Sequence, residues 1–238
     1  MRSKNLLLVT GASSGIGREI SRKLCKEGHE VILTSRSKEK LNSLHNELRK
    51  LGYKSHVIPC DVRVENEVNH LYEKSSKLGF VDCVINNAGI GKFSSINKMS
   101  IEDWDEQIST NLRSSFLTTR LFVKKMIEKK EGKFVFINSV AGKYGHSFSS
   151  STAYVASKYG LKGFADSLRT ELREHNIKVI SIHPGAINTN FWDNIKGNFP
   201  KDQMLTSECI ANFVLQAIIS PDNAVVEEMV IRRTAGDM

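Results

Sequence analysis

Cysteine is sparse and scattered: Cys25, Cys60, Cys83 and Cys209 lie far apart, with no CxxC pair and no histidine at zinc-like spacing. That pattern excludes a disulfide framework or zinc module, so no metal site is expected and the four read as reduced, mostly buried thiols. Long apolar runs are also missing. Met1 to Asn5 leads into Leu6 to Val9, too short for the hydrophobic region of a signal peptide and far too short to cross a bilayer. The expectation is a cytoplasmic protein with no membrane partner. No tract is rich in proline or glycine, no segment is of low complexity, and no repeat of solenoid length appears. One domain over residues 1–238 is therefore expected, a length that α/β folds cover with a single core.

Acidic residues are outnumbered, 26 against 34 Lys and Arg, which leaves a formal net charge of +8. The basic residues are spread through presumed surface helices, and no aromatic-plus-basic module accompanies them. This argues against nucleic acid as a partner and favours a basic surface suited to a phosphate-bearing cofactor.

What is present is an alternation. Short β-branched runs recur at Leu6 to Thr10, Val31 to Thr34, His56 to Pro59, Cys83 to Asn86, Phe134 to Asn138 and Val179 to His183, with longer helix-like stretches between them. A seventh run falls at about Met229 to Arg232. Ile16, Ile20 and Leu24 form one helical stripe, and Leu161, Phe164, Ala165, Leu168 and Leu172 form another within Ser151 to His175. Apolar strands alternating with helices predict a doubly wound, Rossmann-type α/β fold: a mostly parallel seven-stranded sheet with helices on both faces. The long irregular stretch Gly185 to Met204 carries Phe191, Trp192 and Phe199, so residues 186–204 are expected to form a substrate lid.

Directly after the first strand stands Thr10-Gly11-Ala12-Ser13-Ser14-Gly15-Ile16-Gly17, and the first helix follows at once. Glycine lets a backbone approach a pyrophosphate, and a helix N-terminus offers unpaired N–H groups. The spacing is G-x-x-x-G-x-G rather than the general G-x-G-x-x-G, and glycines here could equally serve only a tight turn and a helix contact. The second strand ends Leu33-Thr34-Ser35-Arg36, without the acidic residue that would bind a ribose 2′-hydroxyl. Arg36 offers a planar fork for a 2′-phosphate, so NADP(H) is preferred over NAD(H). The plainer alternative is one more solvated cation beside Lys38 and Lys40.

Further along come Asn86-Asn87-Ala88-Gly89 after the fourth strand, Ser139 after the fifth, and Tyr154-Val155-Ala156-Ser157-Lys158 on the next helix. With these motifs in this order, the sequence resembles the short-chain dehydrogenases/reductases over nearly its whole length. The resemblance implies that Gly11, Ser13, Ser14, Ile16 and Gly17 line the pyrophosphate and adenosine side, Arg36 the 2′-phosphate, and Asp61 with Val62 the adenine. It places Asn87, Ala88 and Gly89 beside the ribose, and Pro184, Gly185, Ile187 and Thr189 at the nicotinamide. Asn111, Ser139, Tyr154 and Lys158 fall where such enzymes keep their catalytic tetrad, Tyr154 and Lys158 also touching cofactor. A homodimer or homotetramer is implied as well, paired through the helices that carry Asn111 and Tyr154.

Reduction of a carbonyl needs a hydride, which the cofactor supplies, and a proton, which the protein must supply. Tyrosine, with a pKa of roughly 10, needs a nearby cation to exchange protons near neutrality. Tyr154 and Lys158 stand four apart on one helix face. Tyr154 is thus expected as general acid in reduction, with its pKa lowered by Lys158, Ser139 as donor to the substrate oxygen, and Asn111 as holder of a relay water. His146 and His183 are read as structural, because no partner or motif claims them.

The substrate is a small carbonyl or alcohol, with pterin-type ketone, 3-hydroxy acid or serine, and 3-oxoacyl thioester as the alternatives. The bacterial 3-oxoacyl-carrier-protein reductases usually end in a valine-aspartate-glycine-glycine segment. Here the chain runs Val225-Val226-Glu227-Glu228-Met229-Val230-Ile231, which is similar to sepiapterin-reductase-like and 3-hydroxy-acid dehydrogenase branches. A non-catalytic NADP-binding regulator is the competing function, and retention of Asn111, Ser139, Tyr154 and Lys158 together argues for the enzyme.

Overall fold

The computed structural model describes residues 5–145, 149–195, 197, 199–221 and 223–236. Seven strands form one parallel sheet: β1 (Leu6–Thr10), β2 (Glu30–Thr34), β3 (Ser55–Val57), β4 (Val81–Asn86), β5 (Gly132–Ile137), β6 (Ile177–Pro184) and β7 (Glu228–Ile231). The helices between them are α1 (Gly15–Lys26), α2 (Lys38–Lys50), α3 (Glu65–Leu78), α4 (Ile101–Ile108), α5 (Ser114–Lys129), α6 (Thr152–Leu172) and α7 (Ser207–Ile218). The order across the sheet is β3-β2-β1-β4-β5-β6-β7. This is the doubly wound arrangement expected from the sequence.

Period-two alternation explains why both faces are covered. In β1, Leu7 and Val9 join a core with Ile20 and Leu24 of α1, Leu41 and Leu44 of α2, and Ile210 and Val214 of α7. Leu6 and Leu8 point the other way, into a core with Val68 of α3, Phe122 of α5 and Leu161 of α6. A strand buried on both sides must read as a continuous apolar run, as Leu6 to Val9 does.

The third strand ends earlier than expected, at Val57 rather than Pro59. Proline has no N–H for the ladder, yet Ile58 and Cys60 still donate main-chain bonds to Leu33 and Ser35, so the chain tracks β2 past the strand proper. Between α4 and α5, Ser109–Arg113 forms a π-helical turn. Strand order reverses between β1 and β4, which opens a crevice at their carboxyl ends.

Candidate functional site

A cleft of about 430 Å³ lies at that crevice, with Gly11, Ser13, Ser14 and Ile16 at one part, Arg36, Asp61 and Val62 at another, and Ala88, Gly89 and Thr189 along its length. Its floor is tied together by one hydroxyl. Thr10 Oγ1 donates to the Ile85 carbonyl and accepts from the N–H groups of Asn87 (2.9 Å) and Ala88 (3.0 Å). Asn87 Nδ2 returns to the Thr10 carbonyl at 2.8 Å. The glycines answer to this packing: Gly11 has φ +66°, and a Cβ on Gly17 would stand 2.4 Å from both Gly11 O and Asn87 Nδ2. No side chain caps α1 at Ser14, and its first turn carries no acidic residue, so the helix presents unpaired N–H groups to the cleft.

At the end of β2, Arg36 is exposed on the cleft wall and forms no ion pair with another described residue. Ser35 Oγ beside it is buried without a hydrogen-bond partner, and Lys40 lines the same wall. Asp61 is already engaged. Arg63 grips it through Nε (2.9 Å to Oδ1) and Nη2 (2.6 Å to Oδ2), and this hydrogen bonding holds the carboxyl below its ordinary range.

The other end of the crevice is aromatic and mostly apolar. A smaller cavity of about 100 Å³ is bounded by Phe93, Ser139, Tyr154, Pro184, Gly185, Ile187, Phe191 and Trp192. Ring centroids of Phe93 and Phe191 lie 5.7 and 5.6 Å from that of Tyr154. Segment 186–204 contributes Phe191 and Trp192, whose Nε1 donates to the Ile187 carbonyl at 2.9 Å, while Ile195 and Met204 pack beneath.

Ser139 caps a 3₁₀ turn at Val140–Gly142, accepting from Ala141 N at 3.1 Å. Its hydroxyl lines the same small cavity as the Tyr154 side chain. Lys158 is buried, donates to the Ile137 carbonyl at 3.0 Å, and lies 5.8 Å from the Tyr154 ring centroid. Burial lowers this ammonium to about 8. Burial likewise pushes the Tyr154 hydroxyl up to about 12, with the Ser139 hydroxyl opposing. The lowering of Tyr154 expected from Lys158 is therefore reversed in the protein alone, because loss of solvent outweighs a cation turned toward the Ile137 carbonyl.

Asn111 is held in place by its own hydrogen bonds. It sits in the π turn, and its side chain is occupied: Oδ1 accepts from Ile90 N (2.8 Å), and Nδ2 donates to Ile90 O and Ser157 Oγ (both 2.9 Å). With both amide hydrogens used, the side chain fastens the Gly89–Ile90 loop after β4 to α6, and it gives no direct hydrogen bond to Lys158. A Cβ on Gly89 would come 3.3 Å from Asn111 Oδ1 and 3.6 Å from Lys158 Nζ, so the missing side chain leaves room for both.

Thus the structure brings together Ser139, Tyr154 and Lys158, with Asn111 one layer behind. Pro184 and Gly185 end β6 beside them, and Thr189 lines both cavities. Of the two histidines, His146 lies outside the described residues, and His183 is fully buried behind Ser139. Sequence reasoning passed over Phe93, Arg63, Thr10 and Ser157. Thr10 carried a signal as the residue opening the glycine turn, and Ser157 stands inside the Tyr154 to Lys158 motif on α6; Phe93 and Arg63 meet the site through loops whose paths no periodicity reveals.

A family model described as short chain dehydrogenase matches residues 5–198. The sepiapterin reductase of Chlorobaculum tepidum is 32% identical, over 99% of this chain and 98% of that protein. The 3-oxoacyl-[acyl-carrier-protein] reductase of Aquifex aeolicus is 34% identical over 87% of each. Among solved structures, a metagenomic short-chain oxidoreductase in complex with NADP superposes with a TM-score of 0.85 at 32% identity, covering 97% of both chains.

Proposed function

The chain belongs to the short-chain dehydrogenase family, and we propose that it is an NADP(H)-dependent oxidoreductase interconverting a carbonyl and a secondary alcohol, working chiefly as a reductase. The observation that carries this reading is the convergence of Ser139, Tyr154 and buried Lys158 at the aromatic end of a cleft that runs from the start of α1 past Arg36. The cofactor, when bound, supplies the hydride.

The residues present fit that group. Gly11 and Gly17 leave the backbone bare where a pyrophosphate would lie, and the uncapped start of α1 offers N–H donors to its charge. Arg36, Lys40 and the orphaned Ser35 hydroxyl supply charge and a hydrogen-bonding group for a 2′-phosphate. Val62 gives the adenine an apolar wall, while Asp61, held by Arg63, shapes that wall more than it binds. Asn87, Ala88, Gly89, Pro184, Gly185, Ile187 and Thr189 line the path to the reacting end.

Tyr154 then acts as the proton donor. The phenol is protonated at neutral pH and so carries the proton that reduction requires. Ser139, on the wall of the same small cavity, is placed to donate to the same substrate oxygen. Lys158 at about 8 remains mostly charged near neutrality and stabilises negative charge as the proton leaves. Asn111 positions the loop after β4 beside Lys158.

Among the substrate readings, a planar ketone of the pterin type fits best. The described residues lining the small cavity include three aromatic rings besides Tyr154 and no charged side chain to hold the carboxylate of a 3-hydroxy acid. We read 186–204 as the lid over it. Exposed Ile101, Phe116 and Tyr159 on α4, α5 and α6 support association into a homodimer or homotetramer through those helices. A cytoplasmic location completes the proposal.

Titration with NADPH and NADH, followed by a screen for cofactor consumption against aldehydes, ketones and diketones, tests it. Tighter NADPH binding with turnover on a carbonyl is expected. Tight binding without turnover across the panel would favour a regulator, and binding of neither nucleotide would overturn the reading.

A further inference from the structure

His183, the penultimate residue of β6, has no task in the chemistry above, yet it is fully buried at the back of it. Its Nδ1 lies 3.2 Å from the main-chain carbonyl oxygen of Ser139. A carbonyl only accepts, so this nitrogen carries a proton and, in the neutral ring, Nε2 holds the lone pair. Nε2 faces Glu228 Oε1 across 3.7 Å, and both atoms are buried without a hydrogen bond. Two acceptors confronting one another in the interior call for an explanation.

Glu228 opens β7 and is tied to two lysines. Its Oε2 accepts from Lys143, and the Lys162 ammonium stands 3.5 Å from Oε1. Lys143 ends the short turn that Ser139 caps. Lys162 stands one helical turn beyond Lys158 on α6 and is shared with Asp166 at 2.5 Å. One carboxylate of the last strand thereby joins the Ser139 loop to the helix of Tyr154 and Lys158, and His183 braces the same loop from inside.

We propose that His183 and Glu228 are positioning residues that pin the Ser139 loop against α6 and so hold the Ser139 hydroxyl in register with that of Tyr154. This rests on the oxidoreductase reading. The charged groups facing the imidazole are Glu228 from β7, Lys143 from the loop after β5 and Lys162 from α6. Burial keeps the ring below its ordinary range, with the Ser139 carbonyl and Glu228 opposing and the two lysines adding to the depression. It is therefore neutral at pH 7. In acid, a proton on Nε2 draws Glu228 away from Lys143 into a charge-assisted hydrogen bond, which loosens the loop.

The test uses the full-length protein with saturating NADPH and a carbonyl that it reduces, and follows kcat and KM over roughly pH 5 to 9. Glu228→Gln and His183→Leu should lower kcat about ten-fold, as expected for sub-ångström misplacement of a reacting group, with NADPH affinity unchanged. Both should also lose the acid limb of the wild-type profile. His183→Asn, whose amide nitrogen takes the place of Nδ1 and can still donate to Ser139, should recover most of kcat without restoring that limb. Wild-type kcat and an unmoved acid limb in Glu228→Gln would overturn the proposal. Histidine ¹⁵N NMR supplies a readout independent of turnover: a neutral Nδ1–H tautomer whose titration moves in Glu228→Gln supports the latch. An Nε2–H tautomer, or a titration indifferent to Glu228→Gln, overturns it. If no carbonyl is turned over, the oxidoreductase reading is what fails, and the NMR result still decides for or against the latch.

Discussion

Where α1 begins, the cleft is lined by bare backbone, glycine and an exposed arginine; around Tyr154 it is lined by Phe93, Phe191 and Trp192. The first end offers partial charges and donors that water also reaches, so it suits strong but reversible attachment of a highly charged ligand. The second surrounds its polar groups with aromatic and apolar side chains, and burial raises Tyr154 to about 12 and lowers Lys158 to about 8. Binding and proton handling are thus assigned to different materials, and a substitution at one end should leave the function of the other largely intact.

The sharpest way to break that division is at Gly17. An added Cβ meets Gly11 O and Asn87 Nδ2 at 2.4 Å, which forces the turn apart at its closest point. Gly17→Ala should weaken both NADPH and NADH by about a hundred-fold or more, measured by calorimetry on protein whose circular dichroism is unchanged. A milder incision is Arg36→Ala, which removes one charged fork. It should weaken NADPH by about ten-fold or more, the size of a lost charge-assisted hydrogen bond, while NADH binding barely moves. An equal effect on both nucleotides would remove Arg36 from the 2′-phosphate site.

The aromatic end makes a smaller, pH-dependent prediction. Below pH 8 Lys158 is protonated in both folded and unfolded chains, and its burial counts fully against the fold. Between about 8 and the ordinary 10.5, the unfolded chain binds a proton at Lys158 that the folded one lacks, so Lys158 contributes a rise in stability with pH. The buried thiols of Cys25, Cys60 and Cys83, each pushed up to about 12, contribute an opposing fall above about 9. The Lys158 gain approaches about 1.4 kcal/mol per pH unit, or a few degrees in Tm. Lys158→Met should make the slope less positive than in wild type in cofactor-free thermal melts. Parallel slopes would show that Lys158 is better solvated than its contacts indicate.

Much of this is legible in the sequence because the relevant physics is local. Apolar runs mark all seven strands, with β3 stopping at Val57, and the glycine spacing with Tyr154 and Lys158 at one helical turn marks both ends of the cleft. What escapes depends on tertiary placement. The amide of Asn111 is taken by Ile90 and Ser157, the carboxylate of Asp61 by Arg63, and His183 acquires a partner in Glu228 some 45 positions away. The rise of Tyr154 escapes for the same reason, since spacing shows which groups are near but not how much water is lost around them.

The division of labour stands or falls on Tyr154→Phe, which removes one hydroxyl and keeps the ring that packs on Phe93 and Phe191. The measurement is NADPH affinity and carbonyl turnover on the same preparation, beside wild type. Near wild-type affinity is expected, with turnover reduced by about a hundred-fold or more, the range for loss of a general acid. Undiminished turnover would contradict this division and remove Tyr154 from the mechanism.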